Sequence, residues 1–149
     1  AFLQNKISEL PVKEKKITIR KRWFYYLVLE YDNKIAIRQR TEKDIWQDLY
    51  EFPLVEAAAE SEKRKILQQA EKKKWLTGKK YGVTSISLLF KQQLSHQMIT
   101  GQFIKIKLKQ KPTLNNDWLW LAKSKTSKYA FPQFINQYLR ENEDQQSLF

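Results

Sequence analysis

The sequence predicts an α+β fold in which helices flank a mixed, mostly antiparallel β-sheet. Several short segments alternate apolar and polar residues with a period of two, which is typical of strands that bury one face. Two other segments repeat apolar residues at intervals of three and four, which is typical of amphipathic helices. The chain has 149 residues, of which 42% are hydrophobic, so we expect one domain with a substantial core.

The first strands are predicted near the amino terminus. Residues 1–16 are polar and end in lysines, and we expect them to form a connector that follows a preceding domain. Residues 17–31 are rich in β-branched and aromatic side chains, which favours a long strand. Asp32 and Asn33 are typical turn residues, so residues 34–40 are predicted to return as the second strand of a hairpin.

An aromatic segment, residues 45–56, follows this hairpin and fits neither regular element. Its aromatic residues share no single period, and Pro53 prevents both a regular helix and a central strand. We therefore predict a loop that enters a short strand and that is anchored in the core by Trp46, Tyr50 and Phe52.

Residues 57–76 predict a helix at the edge of the domain, because its apolar face is narrow. We expect Ser61 to be the N-cap of this helix and Gly78 to terminate it. The lysines at residues 72–74 crowd its carboxyl end, where they either complement the helix dipole or contact DNA.

The remaining elements follow the same two patterns. Residues 84–90 predict a strand with Ile86, Leu88 and Phe90 on one side, and residues 117–123 predict another strand. Residues 133–140 predict a helix that begins just after a proline, a favourable position. The sequence beyond this helix is polar. We expect the domain to span residues 17–142 and residues 143–149 to form a flexible tail.

The clearest functional indication lies in residues 90–109. Residues 102–109 predict a strand in which three apolar residues alternate with Phe103, Lys105, Lys107 and Lys109. Lysines two positions apart on a strand are about 6.6 Å apart, a spacing that suits a phosphate backbone, although a solvated strand face would show the same pattern. A polar turn with Ser95 and the only histidine, His96, precedes this strand.

Charge and composition favour a polyanionic partner. The formal net charge is +12, and no acidic residue occurs between residues 76 and 112. Nucleic acid is the commonest partner of such a domain, and a solubilising basic surface is the alternative. The absence of cysteine excludes disulfides and cysteine-ligated clusters within these residues, and one histidine argues against a histidine zinc site. No apolar run has the length of a membrane span, and no signal-peptide pattern is present.

Four stretches, in this order, resemble one family. The chain begins AF and continues to LPVK at residues 10–13, which resembles the region after the last cluster cysteine of a catalytic half. IWQDLYEFP at residues 45–53 resembles the Trp-x-x-Leu-Trp/Tyr-Glu-Phe-Pro segment of Nudix-fold domains, and LSH at residues 94–96 resembles a Phe-Ser-His loop. Residues 118–132, ending SKYAFP, resemble a strand followed by a short helix. Together they resemble the Nudix-like C-terminal domain of adenine DNA glycosylases, the MutY family.

The resemblance implies a Nudix-like fold and a role in DNA repair. The family excises adenine mispaired with 8-oxoguanine, and its catalytic residues and iron–sulfur cluster lie in another half that is absent from this sequence. We therefore expect no catalytic residue, metal or cofactor in this fragment of an intracellular, cytoplasmic and nucleoid-associated protein. The expected partners are duplex DNA with 8-oxoguanine:adenine and the catalytic domain of the same chain, and no membrane. Recognition of 8-oxoguanine is expected from Leu94, Ser95 and His96, with DNA backbone contacts from Lys105, Lys107 and Lys109.

Donor and acceptor chemistry gives Ser95 a specific role. N7 of guanine is an acceptor in the major groove, whereas N7 of 8-oxoguanine carries a hydrogen that a serine hydroxyl can accept. A hydroxyl can also donate to ordinary N7, so Ser95 discriminates only if its proton is committed to a backbone carbonyl or to His96. His96 would otherwise contact a phosphate or brace the loop, and both residues are also compatible with a plain structural turn.

Two other functions remain open at this point. A Nudix hydrolase follows its Phe-Pro segment with an RExxEE helix that binds magnesium, and the corresponding region here is LVEAAAESEKRKILQQAEKKKW. Its glutamates, Glu56, Glu60, Glu62 and Glu71, are scattered, whereas magnesium needs convergent oxygen ligands. A nucleotide pyrophosphohydrolase is thus the first alternative, and a general nucleic-acid or protein-binding module is the second.

Overall fold

The described part of the chain forms one eight-stranded sheet with helices on both faces. The computed structural model describes residues 18–76 and 81–147, and residues 143–147 are described as backbone only. The strands are β1 (Arg20–Tyr31), β2 (Lys34–Gln39), β3 (Tyr50–Glu51), β4 (Leu54–Ala57), β5 (Tyr81–Ile86), β6 (Phe90–Gln93), β7 (Gln97–Leu108) and β8 (Trp118–Ala122). The helices are α1 (Lys63–Lys72), a 3₁₀ helix (Lys123–Lys128) and α2 (Gln133–Ser147).

Two long strands, β1 and β7, form the centre of the sheet and run parallel to each other. Their register extends from Arg20 opposite Gln97 to Glu30 opposite Lys107. The other strand pairs are antiparallel: β6 and β5 continue the sheet beyond the first and second halves of β7, and β4 and β2 adjoin β1. The prediction of a mixed, mostly antiparallel sheet flanked by helices is therefore confirmed.

The alternation of side chains along β1 and β7 supplies two separate cores. Tyr26 and Phe103 are neighbours across the central pair and face α2, where Tyr138 stacks on Phe103 with ring centres 4.2 Å apart. Leu27 and Ile104 face the opposite side and pack with residues of α1. Strand β1 is therefore buried on both faces over most of its length, which explains its near-continuous apolar sequence. In β7, Lys105 and Lys107 interrupt this burial.

The predicted hairpin is present. Asp32 and Asn33 form its two-residue loop with φ angles of 53° and 62°, in the left-handed region that Asp and Asn tolerate better than most residues. The predicted strands are confirmed, although β1 begins at Arg20 and β2 ends at Gln39, and residue 17 lies outside the described residues.

The aromatic segment is anchored in the core as predicted, and its two strands pair with two different strands of the sheet. Its first strand, β3, pairs with β2, and its second, β4, pairs with β1. Phe52 lies between the two strands and is fully buried, and the Pro53 carbonyl accepts a 2.8 Å hydrogen bond from Leu27. Trp46 packs on Phe134 of α2, with ring centres 5.1 Å apart.

The single strand predicted for residues 84–90 is wrong. The structure has two strands, β5 and β6, separated by residues 87–89. Between these two strands, Ser87 bonds β7 in place of regular strand pairing. Its N–H donates to the Phe103 carbonyl, and its Oγ accepts from the Phe103 N–H, each at 2.9 Å. Consequently Ile86, Leu88 and Phe90 do not share one buried side, since Leu88 is 87% exposed and Phe90 only 9%.

The predicted helix boundaries also need correction. Helix α1 begins only at Lys63, because residues 54–57 pair with β1 as strand β4. Its N-cap is Glu62 and not Ser61, whose N–H donates to the Tyr25 hydroxyl at 2.9 Å. Gly78, the predicted terminator, lies outside the described residues, as does the predicted connector at residues 1–16. Helix α2 continues to Ser147, beyond the predicted end at residue 140.

Candidate nucleic-acid interface

The Ser95–His96 turn is the tip of the β6–β7 hairpin. Gln93 pairs with Met98 across the two strands, and the Leu94 N–H donates to the Gln97 carbonyl at 2.7 Å. Both tip side chains are exposed. The His96 carbonyl accepts a 3.0 Å hydrogen bond from the N–H of Arg20, so the tip is also attached to the start of β1. Three strands therefore hold a short, exposed loop at one end of the sheet.

Leu94 contributes to this site differently from its two neighbours. Its side chain is half-buried and packs against the core cluster that faces α2. The Leu94 carbonyl accepts a 2.7 Å hydrogen bond from the side chain of Gln93. In this arrangement Leu94 anchors the hairpin tip, and the exposed surface of the tip is provided by Ser95 and His96.

The hydroxyl of Ser95 has no fixed orientation in this structure. Within residues 18–76 and 81–147, neither the Ser95 hydroxyl nor the His96 ring makes a side-chain hydrogen bond to the other or to a backbone carbonyl. The proton of Ser95 is thus uncommitted, and a hydroxyl in this state can both donate and accept.

The predicted lysines lie at the opposite end of β7. Lys105 is half-buried beside Lys123 in a cavity of about 380 Å³, Lys107 is exposed, and Lys109 follows the last residue of the strand. At about 3.3 Å per residue, Lys105 and Lys107 are roughly 30 and 36 Å from His96 along the strand. The structure therefore does not bring the predicted lysines and the predicted recognition loop together.

Three cations that sequence reasoning missed lie near the tip. Arg20 and Lys21 begin β1, opposite Gln97 and Met98, and Lys91 lies on β6. All three side chains are exposed. Three consecutive basic residues at positions 20–22 could have indicated this cluster of cations. They fall within the long strand predicted for residues 17–31, and that prediction gave them no separate role.

Arg22, the third member of that run, is buried and structural. Its guanidinium donates to both oxygens of Glu56 at 2.7 and 2.8 Å and to both oxygens of Asp44 at 2.9 and 2.8 Å. A fifth bond, at 3.0 Å, goes to the side-chain oxygen of Gln97, the first residue after the tip. Hydrogen bonding from Arg22 lowers the pKa of Asp44 to about 2, and the Glu56 hydrogen bonds raise the pKa of Arg22 above its ordinary value.

A second buried ion pair extends this network towards the aromatic segment. Arg40 donates to Glu51 at 2.8 Å and to Asp44 at 3.0 Å. Burial raises the pKa of Glu51, and the charges of Arg40 and Arg38 oppose this shift. A third donor of Arg40, its Nε, bonds the Ile45 carbonyl at 3.2 Å. Every donor of Arg22 and three donors of Arg40 are therefore satisfied, and Asp44 accepts from both guanidinium groups.

The glutamates that a Nudix hydrolase would need do not converge. Glu56 is occupied by Arg22, and Glu71 accepts a hydrogen bond from the Tyr81 hydroxyl at 2.8 Å. Glu60 and Glu62 are exposed. In the part of the chain that the structure describes, no group of three or more His, Cys, Asp or Glu side chains could hold a metal ion. The helices of these same ranges also lack the length and apolar character needed to cross a membrane.

Comparisons with known proteins agree with this architecture. A sequence profile of the NUDIX domain family matches residues 24–141. Among solved structures, the C-terminal domain of mouse MUTYH, determined in complex with human PCNA, superposes with a TM-score of 0.64 and 19% identity over 86% of this chain and 91% of that chain. The MutT protein from Methanosarcina mazei Go1 superposes with a TM-score of 0.65 and 9% identity over 88% and 99%. These structures share the fold.

The curated relatives are named adenine DNA glycosylases. The protein of Buchnera aphidicola subsp. Baizongia pistaciae (strain Bp) is 28% identical over 99 residues, which is 64% of this chain and 25% of that protein. The protein of B. aphidicola subsp. Acyrthosiphon pisum (strain APS) is 24% identical over 110 residues, 72% and 28% respectively. The chain thus spans about a quarter of the length of these relatives. Because the profile covers most of its length, the chain belongs to the NUDIX domain family.

Proposed function

We propose that this chain is the damage-recognition domain of an adenine DNA glycosylase that removes adenine mispaired with 8-oxoguanine. The names of the similar glycosylases and the net charge of +12 support this proposal. The observation that carries it is the exposed Ser95–His96 tip, which β1 holds through the His96 carbonyl and which Leu94 anchors in the core. A rigid scaffold that presents a short loop is typical of recognition sites.

The shape of the hairpin suits the edge of the base that oxidation changes. The major groove of DNA is about 12 Å wide and admits a two-stranded ribbon. N7 lies on that edge, and in 8-oxoguanine it carries a hydrogen for which the Ser95 hydroxyl is an acceptor. Discrimination requires the Ser95 proton to be engaged on binding, and His96 or a phosphate of the DNA would engage it.

The lysines at the far end of β7 are proposed to contact the DNA backbone at a separate place. Lys107, roughly 36 Å from the tip along the strand, lies about one helical turn of DNA away, since a turn is about 34 to 36 Å long. Lys107 and Lys109 are exposed; Lys107 would meet a phosphate about one turn from the damaged base, and Lys109 one slightly farther along. Such contacts add affinity for all sequences alike.

Catalysis is assigned to a part of the protein that this chain does not contain. The relatives are about four times as long as the matched region, and we place adenine excision and the iron–sulfur cluster in that additional length. The chain itself would then be non-catalytic and would accompany DNA in the nucleoid. The hydrolase alternative is not favoured, because Arg22 and Tyr81 occupy two of the four glutamates that would have to bind magnesium.

The decisive experiment compares affinities for duplexes that differ only in the damaged base. We expect Ser95→Ala, in the natural protein that contains this chain, to lower the preference for 8-oxoguanine:adenine over guanine:adenine about two- to tenfold. This range corresponds to one net hydrogen bond of roughly 0.5–1.5 kcal/mol. Ser127→Ala, at another exposed serine, is the matched control.

Two further variants define the roles of the neighbouring residues. Adding His96→Ala to Ser95→Ala should deepen the loss of preference for the damaged duplex. If His96 orients the hydroxyl, the combined loss should differ from the sum of the two single losses, because members of one network couple. Lys107→Ala should lower both affinities and leave their ratio unchanged. An unchanged ratio in the Ser95/His96 double variant, at one fixed salt concentration, would refute the proposed role of the tip.

A further inference from the structure

The amino-terminal end of β1 places two exposed cations directly beside the hairpin tip. The hydrogen bond from Arg20 to the His96 carbonyl and the register of Lys21 opposite Met98 fix both residues within one or two positions of the tip. Lys91 lies on the other side of the hairpin, on β6 opposite Thr100. Cations therefore flank the tip on both sides, on β1 and on β6.

These three side chains differ from the other strongly basic cluster of the domain. Arg22, Arg38 and Arg40 are neutralised by carboxylates through ion pairs of 2.7 to 3.4 Å. None of the ion pairs among the described residues involves Arg20, Lys21 or Lys91. Their charge is accordingly available to a ligand.

The space around β1 also allows a backbone to approach. A cavity of about 300 Å³ opens beside Arg20 and Lys21, and its lining also includes the small side chains of Ala57 and Ala58. The carboxylate in this cavity, Glu56, already has both oxygens bonded to Arg22. A phosphate that enters would meet two cations and a neutralised carboxylate.

The spacing across the sheet matches the spacing of a DNA groove. Lys21 and Lys91 are separated by two strand spacings and by two positions along the strands, which corresponds to roughly 12 Å between their Cα atoms. The major groove is about 12 Å wide. A tip inserted into this groove would therefore have a cation near each of its two phosphate walls.

We propose that Arg20, Lys21 and Lys91 form a phosphate-binding surface, the tip-flanking patch, that seats the DNA backbone on both sides of the nucleotide contacted by Ser95 and His96. This inference rests on the proposed function for the position of the DNA, and it assigns the principal phosphate contacts to the end of the sheet opposite Lys105–Lys109. The ligand is the phosphodiester backbone of duplex DNA, irrespective of base sequence.

The test uses the 149-residue chain and a fluorescent duplex of about 12 base pairs. Such a duplex is only about 41 Å long, at about 3.4 Å per base pair, so a central pair bound at the tip has about 20 Å of duplex on either side. Binding is measured by anisotropy between about 50 and 200 mM salt for the undamaged duplex and for one with a central 8-oxoguanine:adenine pair. The variants are Arg20→Gln, Lys21→Gln and Lys91→Gln, with Lys34→Gln, at the exposed turn between β1 and β2, as the control of equal charge.

Each variant of the tip-flanking patch should lower the slope of log affinity against log salt by about 0.9 on both duplexes. Raising the salt from about 50 to about 200 mM should therefore weaken the binding of each variant by a factor about 3.5-fold smaller than the factor for wild type. Lys34→Gln should leave the slope unchanged, and Arg20→Lys should give the same slope as wild type. Thermal melting checks that each variant is folded.

The opposite pattern, in which Lys34→Gln lowers the slope and the patch variants do not, would overturn the proposal. Equal slope losses in all four variants would overturn it as well, because binding would then follow total charge and no particular surface. A chain that shows the three patch losses but no preference for the damaged duplex would keep the patch and would refute only the damage-recognition function.

Discussion

Replacement of Arg22 by methionine tests the buried network beneath the hairpin tip. The side chain is 5% exposed and makes five hydrogen bonds, four of them to carboxylates. Removing one partner of a fully buried ion pair costs about 3–5 kcal/mol. Here the side chains of Asp44 and Glu56 are 28% and 35% exposed and regain water in the variant. We therefore expect Arg22→Met to lower the free energy of unfolding by about 2–3 kcal/mol at pH 7.

Urea unfolding followed by tryptophan fluorescence measures this loss. The midpoint should fall while the dependence on urea stays the same, because the surface exposed on unfolding hardly changes. Arg64→Met is the matched control, since Arg64 is an exposed residue of α1 and should shift stability by less than about 0.5 kcal/mol.

The acid range gives a second, independent readout. The folded-state pKa of Asp44 is about 2, below its ordinary value of 3.8, so its contribution to stability is complete above pH 4 and is lost as the pH falls towards 2. Screening of this partly exposed carboxyl reduces the contribution to about 1–2 kcal/mol. In Arg22→Met the loss between pH 4 and 2 should be shallower, because the largest cause of the lowered pKa is gone and only the Ile45 N–H and Arg40 still favour the charged form of Asp44. Equal acid sensitivity of the two proteins would refute this account of the network.

Three further predictions concern packing and chemistry. Gly101→Ala should destabilise the fold by about 1–3 kcal/mol in urea unfolding, because the added Cβ would lie 2.8 Å from the Phe134 ring of α2. Gly82→Ala is the control and should be close to neutral, because nothing lies within 4 Å of the Cβ added there. Phe90→Ala should cost about 3–5 kcal/mol and Leu88→Ser less than about 0.5 kcal/mol; similar losses in both would contradict the break between β5 and β6. Magnesium and a panel of nucleoside triphosphates and dinucleotides should yield no phosphate release, and turnover that Glu62→Gln abolishes would show that a hydrolase site exists after all.

Local sequence patterns were sufficient for much of the fold. The β-branched and aromatic composition of β1 and the period of two in β2 and β8 predict each strand to within a few residues. The same reasoning failed for residues 84–90, where alternation continues through Ser87. The hydrogen bonds of Ser87 with Phe103 interrupt the strand, and these depend on a partner 16 positions away. Pattern within a segment contains no information about that partner.

The candidate site was predicted only in its parts. Ser95 and His96 were correctly expected in a polar turn, since polar residues follow a strand and precede another one. Their distance from Lys105–Lys109 was not predicted, because the predicted strand began only at residue 102, whereas β7 begins at Gln97. Thr100 and Gly101 lie in the first half of this strand and are buried, although neither is strongly apolar. The apolar pattern therefore does not indicate a strand there. The contacts of Arg22 with residues on three other segments are set by tertiary packing and lie beyond any local pattern.

The parallel pairing of β1 and β7 has a consequence for how the chain folds. Arg22 and Gln97, bonded through their side chains, are 75 positions apart, and the two strands that carry them are the centre of the sheet. Closing so long a loop costs entropy before the central contacts can repay it, and topologies of this kind fold slowly. We expect the β1–β2 and β6–β7 hairpins to form early and their union to limit the folding rate. On the ribosome, β2 and β4 can pair with β1 soon after they are synthesised, whereas the edge of β1 that pairs with β7 must stay unpaired until β7 has been synthesised.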